Sequence, residues 1–226
     1  MSTPVTLSHT LISFGVGVTI ATAGISVGYR RVLDRPGRWL VAWLVVDAIA
    51  SVASTIGTIE FRNAQYAAQV WYPISSALAL CLLASTLAAA KARRAVFGAA
   101  GVVALTIIGL TIWYEKFGSF AKVTGVIHGM TLLLVGSALV LQRARKARGD
   151  MFADRNFLLG AAFVIMGAPS PLLALAVRYF GPTGQDRYTL VFTLKNLLAI
   201  GSYVFMVMAI HRAAEQARLR PTRPAA

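Results

Sequence analysis

Seven apolar stretches, each long enough to cross a bilayer, fill nearly all of this 226-residue chain, and its charges fall almost wholly in the gaps between them. Lipid offers no partner to a bare backbone N–H or C=O, so such segments must be helices or strands of a closed barrel, and these have helical length. The pattern predicts spans over Thr6 to Tyr29, Trp39 to Ile59, Tyr66 to Ala90, Ala95 to Tyr114, Phe120 to Gln142, Asn156 to Val177 and Tyr188 to His211. The expected fold class is therefore all-α integral membrane: one seven-helix bundle over residues 1–212 and a short basic tail over 213–226.

Composition agrees. Hydrophobic residues make up 57% and charged residues 13%, too little polar surface to disperse a soluble domain of this size. A net charge of +14 would suit nucleic acid if the cations formed one patch, but they are spread over short loops, so no nucleic-acid partner is expected. Their placement reads as topology. Arg30, Arg31, Arg35, Arg38, Lys91, Arg93, Arg94, Arg143, Arg145, Lys146, Arg148, Arg155, Arg212, Arg218, Arg220 and Arg223 fall at one end of the spans. Arg62, Lys116, Lys122, Arg178 and Arg187 fall at the other, and Lys195 lies within a span. The positive-inside bias puts the N-terminus outside and the C-terminus in the cytoplasm of a bacterial-type plasma (inner) membrane. The first stretch has no basic residue before its apolar run and a double Arg after it, unlike a cleaved signal, and is expected to stay as a helix.

Small residues that let helix backbones approach are Gly15, Gly17, Gly24 and Gly28 in the first span, Gly98 and Gly101 in the fourth, and Gly160 and Gly167 in the sixth. Trp39, Trp113, Tyr114, Tyr179 and Tyr188 sit near span ends, where amphipathic rings anchor at the interface. Pro73 falls inside the third span, and Pro169 and Pro171 should bend or break the sixth. A broken helix at that depth must face protein or water, so a cavity beside it is one expectation and a kink that only improves packing the other. The lone Cys81, within the third span, reads as a packing residue.

Ionisable groups in hydrocarbon are costly, by roughly 2.5–3.5 kcal/mol for Asp or Lys at a helix centre, and are usually kept because something uses them. Asp47, His128 and Lys195 are such groups. Asp47 is followed at helical spacing by Ser51, Ser54, Thr55 and Thr58; Thr124, His128 and Thr131 recur on the fifth span, Gln69, Tyr72 and Ser76 on the third, and Tyr188, Lys195 and Ser202 on the seventh. Four striped helices predict one shared polar cavity, formed by Asp47, His128, Lys195, Gln69, Tyr72, Ser51, Ser54 and Thr131. At ~1.5 Å per residue Lys195 lies ~10 Å, His128 ~12 Å and Asp47 ~18 Å from the outer end, so an Asp47–Lys195 ion pair is one arrangement and an outward-reaching lysine the other.

A lysine in the seventh span of a chain with an external N-terminus resembles the microbial rhodopsins in outline, and that resemblance would imply retinal held on Lys195 as a Schiff base. Other residues depart from the pattern: Val191 stands where an Asp is expected four positions before the lysine, Gln69-Val-Trp-Tyr-Pro lacks the third-helix carboxylate, and the sixth span has no Trp. His9, His128 and His211 lie at different depths and cannot share a metal, nor is there a nucleophile with a partner His at recognisable spacing, so enzymatic chemistry is not expected and the cofactor is left unknown. Two function classes remain. A transport-type protein would use Asp47, His128 and Lys195 to handle protons or a small solute; a sensory or binding protein would hold a small-molecule ligand and act through a cytoplasmic partner. The first is the leading expectation, with a structural subunit of a membrane complex behind both.

Overall fold

The computed structural model describes residues 4–61, 65–117, 121–145, 150–180 and 185–218, with side chains described outside 4–12, 61, 174, 176–180 and 185–192. The expectations for His9, Tyr179, Tyr188 and Val191, for Arg62, Lys146, Arg148, Arg178, Arg187, Arg220 and Arg223, and for the end of the tail fall outside these. The chain forms α1 (Pro4–Tyr29), α2 (Arg35–Phe61), α3 (Gln65–Thr86), α4 (Ala90–Leu110) continued by a π-helical turn (Thr111–Glu115), α5 (Lys122–Ala144), a 3-10 turn (Met151–Ala153), α6 (Arg155–Gly167), α7 (Pro169–Phe180) and α8 (Gln185–Arg218). Among the described residues six stretches are long and apolar enough to cross a membrane, namely Arg35–Glu60, Gln65–Thr86, Ala90–Glu115, Lys122–Ala144, Arg155–Leu173 and Thr193–Arg218, and Ser13–Tyr29 is a shorter apolar one.

The surface is that of a helical membrane bundle. Ile49, Ile56, Val102, Leu105, Leu134 and Val204 are exposed, whereas Thr19, Ser26, Asp47, Ser75, Ser76, Thr124, His128 and Ser202 are buried. Apolar groups turned outward over whole helices are what acyl chains cover, and buried polar ones need partners inside.

α1, α2, α3, α5, α6 with α7, and α8 form a closed ring in that order, with α1 packing on α8. α4 stands outside the ring, chiefly against α3. The small-residue expectation holds closely on the α5–α6 interface and loosely on α1–α8, where a Cβ on Gly15 would lie 3.8 Å from Ile200. Gly136 of α5 faces Gly160 of α6 so closely that a Cβ on Gly136 would lie 2.6 Å from the Gly160 carbonyl oxygen, and one on Gly167 would lie 2.5 Å from that of Gly129. Two glycine pairs seven residues apart on each helix thus set the α5–α6 crossing at backbone contact. Gly17, Gly24, Gly28, Gly98 and Gly101 instead have nothing within 4 Å of their missing side chains among the described residues. Glycine alone does not identify a contact face; its partner's register does.

Helix ends explain the boundaries. Asp34 precedes α2 and accepts from the Gly37 N–H at 3.1 Å, and Asp154 precedes α6 and accepts from Asn156 and Phe157 at 2.9 and 3.1 Å. Each cap stabilises its helix by about 1 kcal/mol. Each also holds an arginine across the bundle end, Asp34 with Arg155 at 2.6 Å and Asp154 with Arg143 at 3.4 Å. α3 stops at Thr86, short of the expected Ala90, where the Ser85 and Thr86 hydroxyls turn back to the Leu82 and Leu83 carbonyls at 2.6 and 2.7 Å and offer the backbone an alternative to another turn. The next helix accordingly starts at Ala90 rather than Ala95.

The sixth predicted span is divided as its prolines require, α6 ending at Gly167 and α7 starting at Pro169. Pro169 and Pro171 bring no N–H to the Ile165 and Gly167 carbonyls. Pro73 sits buried inside an unbroken α3. At the end of α4 the chain turns through Lys116 at φ 62°. Glu115, just before it, accepts from the Val123 and Thr124 backbone N–H groups and from the Thr124 hydroxyl. Ala121, at the cap position of α5, has no side chain able to do this, so a carboxylate from another helix supplies the cap.

The half of the bundle nearer the arginine-rich end is dry. Leu40, Trp43, Leu44, Leu82, Leu139, Leu158, Phe163 and Ile210 are fully buried there. The Trp43 indole donates to Ser75 Oγ at 2.9 Å and meets Phe163 edge-on at 5.3 Å and Trp71 at 5.5 Å.

Candidate functional site

The opposite half is hollow. A cavity of about 400 Å³ runs from Thr58, Gln65 and Lys122, at the ends of α2, α3 and α5, down to Asp47, Leu132 and Tyr203. Thr58 and Asp47 are eleven positions apart on α2, which makes it roughly 16 Å deep. Every member of the ring contributes to the wall, including Met166, Ser170 and Leu173 from the proline-broken helix. α4 does not.

Asp47, His128 and Lys195 all line this cavity, together with Ser51, Ser54, Thr55, Thr58 and Tyr72. The α2 stripe is therefore on one wall as its spacing predicts. Thr55 and Thr58 spend their hydroxyls on the Ser51 and Ser54 carbonyls at 2.9 and 2.8 Å, leaving the two serines as the wall's freer donors.

Other predicted members are elsewhere. Gln69 is buried behind the wall, its amide donating to the Lys116 carbonyl at 3.3 Å. Thr131 bonds the Ile127 carbonyl at 2.8 Å, and Ser202 that of Ala199 at 2.6 Å. Thr124 serves Glu115. These are self-satisfied hydroxyls and a loop clamp, which a helical repeat cannot tell from a polar lining.

Asp47 and Lys195 do not pair, since no ion pair joins them. The Asp47 carboxylate accepts from the Tyr203 hydroxyl, and Thr19 of α1 stands beside that phenol. Tyr203 lies eight residues beyond Lys195, so the lysine sits about 12 Å nearer the mouth. Lys195 is half-buried and stands near His128 on the cavity wall. His128 is held from two sides: its Nδ1 is 3.0 Å from Ser76 Oγ, and Tyr72 stacks on the ring at 4.8 Å. Nε2 is left for whatever occupies the cavity, and the Ser76 contact does not by itself fix the tautomer.

Sequence reading missed Tyr203, Asn196, Thr19, Trp71 and Glu115. The signal on α8 was present one position off the stripe chosen: Asn196, Ala199 and Tyr203 recur at three and four residues and all line the cavity. Glu115 gave no periodic signal, being a single acid at a span end whose partners on α5 include two backbone N–H groups.

Among the described residues no cluster of three or more His, Cys, Asp or Glu side chains is placed to hold a metal ion. Nor does Lys195 have, among them, the carboxylate neighbour that a charged Schiff base would call for. Comparison with known protein families, curated proteins and solved structures finds no match for this chain.

Proposed function

We propose that this chain is a seven-span membrane protein that binds a small solute in a cavity reached from the extracytoplasmic side, and that it acts as a binding or sensory protein towards a membrane or cytoplasmic partner. α1 is taken as the remaining span, and the arginine-rich end as the cytoplasmic one, on the charge bias of the loops. The supporting observation is the asymmetry of the interior: the Asp47–Tyr203 pair and Leu132 floor a blind cavity, and fully buried Trp43, Leu44, Leu82 and Phe163 lie beyond it. A pocket of this size suits a small molecule held by a few convergent polar groups.

Native mass spectrometry of the detergent-released chain tests this. The expected result is a discrete non-lipid mass that Asp47→Asn and Lys195→Met both reduce; a chain that retains only lipid, and the same lipid in all three forms, would overturn it.

Transport is the second reading, and one observation favours it. The Pro169–Pro171 break puts a helix joint beside the cavity, where half of the sixth span can move about the other. In reconstituted vesicles with an entrapped pH dye, transport requires a flux that Asp47→Asn abolishes without unfolding the chain. Absence of any flux in the unaltered protein would leave binding alone.

A further inference from the structure

We propose that the solute is a small organic monoanion, its acidic head at Lys195 and its flat body between the Trp71–Tyr72 wall and the serines of α2. This rests on the reading of the cavity as a ligand site. It adds the ligand's charge and orientation.

The cavity's charges do not balance. Its described wall carries two lysines, Lys122 at the mouth and Lys195 within, and one carboxylate, Asp47. Asp47 is engaged by Tyr203 at the floor, about 12 Å along α8 from Lys195. No carboxylate lies within ion-pair distance of the Lys195 amine among the described residues. Of the other described acids near the outer end, Glu115 is turned away from the cavity onto the start of α5, and Glu60, exposed at the end of α2, is not part of the cavity wall. A half-buried ammonium without a nearby counter-charge among the described residues is unfavourable, and an incoming carboxylate supplies that charge and accepts its hydrogen bonds. Asn196, adjacent to Lys195 and also on the wall, offers a second donor to the same head group.

The floor restricts the far end of the ligand. Asp47 would repel a second anionic group, whereas a neutral hydroxyl or amide can donate to it, so a monoanion fits and a dianion does not. The side walls restrict the middle. Trp71 and Tyr72 present aromatic surface on α3, and Ser51 and Ser54 face the cavity from α2, an arrangement that accepts a planar body with an apolar face.

Four probes sharing one ring separate these requirements: benzoate, benzyl alcohol, benzylamine and terephthalate, titrated against the purified full chain by thermal shift and by microscale binding. Benzoate is expected to bind about tenfold or more tightly than benzyl alcohol, with benzylamine and terephthalate weaker still. Lys195→Met should bring benzoate down to the level of the alcohol, and Lys195→Arg should restore most of the difference. Equal binding of all four, preference for benzylamine, or no binding of any overturns the monoanion assignment. The series on the unaltered chain decides this even if a lysine variant fails to fold. Access to the cavity is read separately by thiol labelling of Ser51→Cys. A labelled cavity without anion preference removes this inference alone, and a sealed one removes the cavity reading with it.

Discussion

The two halves of the bundle solve the same problem in opposite ways. Towards the arginine-rich end, helices meet through Trp43, Phe163 and aliphatic side chains that are fully buried, and α5 and α6 touch backbone to backbone at Gly136 and Gly160. Towards the other end the same helices diverge around a hollow lined by charge and hydroxyl. In lipid, burying apolar groups against each other gains little over burying them in acyl chains, so the closed half depends on close fit and on glycine contact. The open half depends on polar groups finding one another, as Asp47 finds Tyr203 and His128 finds Ser76. Rigidity belongs to the first and chemistry to the second.

Substitutions should divide along this line. The largest effect is expected from Trp43→Ala, which empties the packed half and leaves Ser75 without its indole donor; about 3–5 kcal/mol of stability should be lost, read as the midpoint of denaturant unfolding in mixed micelles. Tyr72→Ala, on the cavity wall, should cost clearly less. If the two cost the same, the contrast between the halves is false.

Next comes the glycine contact. Gly136→Ala places a Cβ against the Gly160 carbonyl and should destabilise by about 1–3 kcal/mol. Gly101→Ala, with open space around it, should be neutral or stabilise by up to about 1 kcal/mol, because alanine is the better helix former. Thermal melting of the pair under one set of conditions checks both signs.

Glu115→Ala removes the cap of α5 and should cost about 1–2 kcal/mol. It should also raise amide hydrogen exchange over the first turn of α5 and not at the start of α6, where Asp154 provides the cap. The floor of the cavity separates a small effect from a larger one. Asp47→Asn keeps an acceptor for Tyr203 and should change stability by less than about 1 kcal/mol, whereas Tyr203→Phe leaves the carboxylate without its phenol and should cost about 1–3 kcal/mol. A double-mutant cycle of Asp47→Ala with Tyr203→Phe that finds no coupling would contradict that hydrogen bond.

Much of this architecture was legible because hydrocarbon permits few solutions. Length and hydropathy located the helices, and Pro169 and Pro171 located the break, since a missing N–H acts locally. The cavity was legible in part. On α2 the stripe from Asp47 to Thr58 lies on the wall because a helix carries its periodicity into space unchanged. On α8 and α5 the stripes were drawn through Ser202 and Thr131, which bond their own backbone, while Tyr203 and Asn196 went unread. Whether a hydroxyl serves its own helix or a neighbour depends on rotation about the helix axis, set by packing partners that one segment does not reveal. The peripheral position of α4 and the reach of Glu115 to α5 are tertiary in the same sense.

Whether the polar hollow opens to one side only can be read directly from thiol accessibility. Ser51→Cys on the cavity wall and Ala79→Cys in the packed half, each in a Cys81→Ala background, can be exposed to a membrane-impermeant thiol reagent in sealed vesicles of both orientations. The account expects Ser51→Cys to react from the extracytoplasmic side alone and Ala79→Cys from neither. Reaction of Ser51→Cys from the cytoplasmic side, or equal reaction of both cysteines, would contradict it.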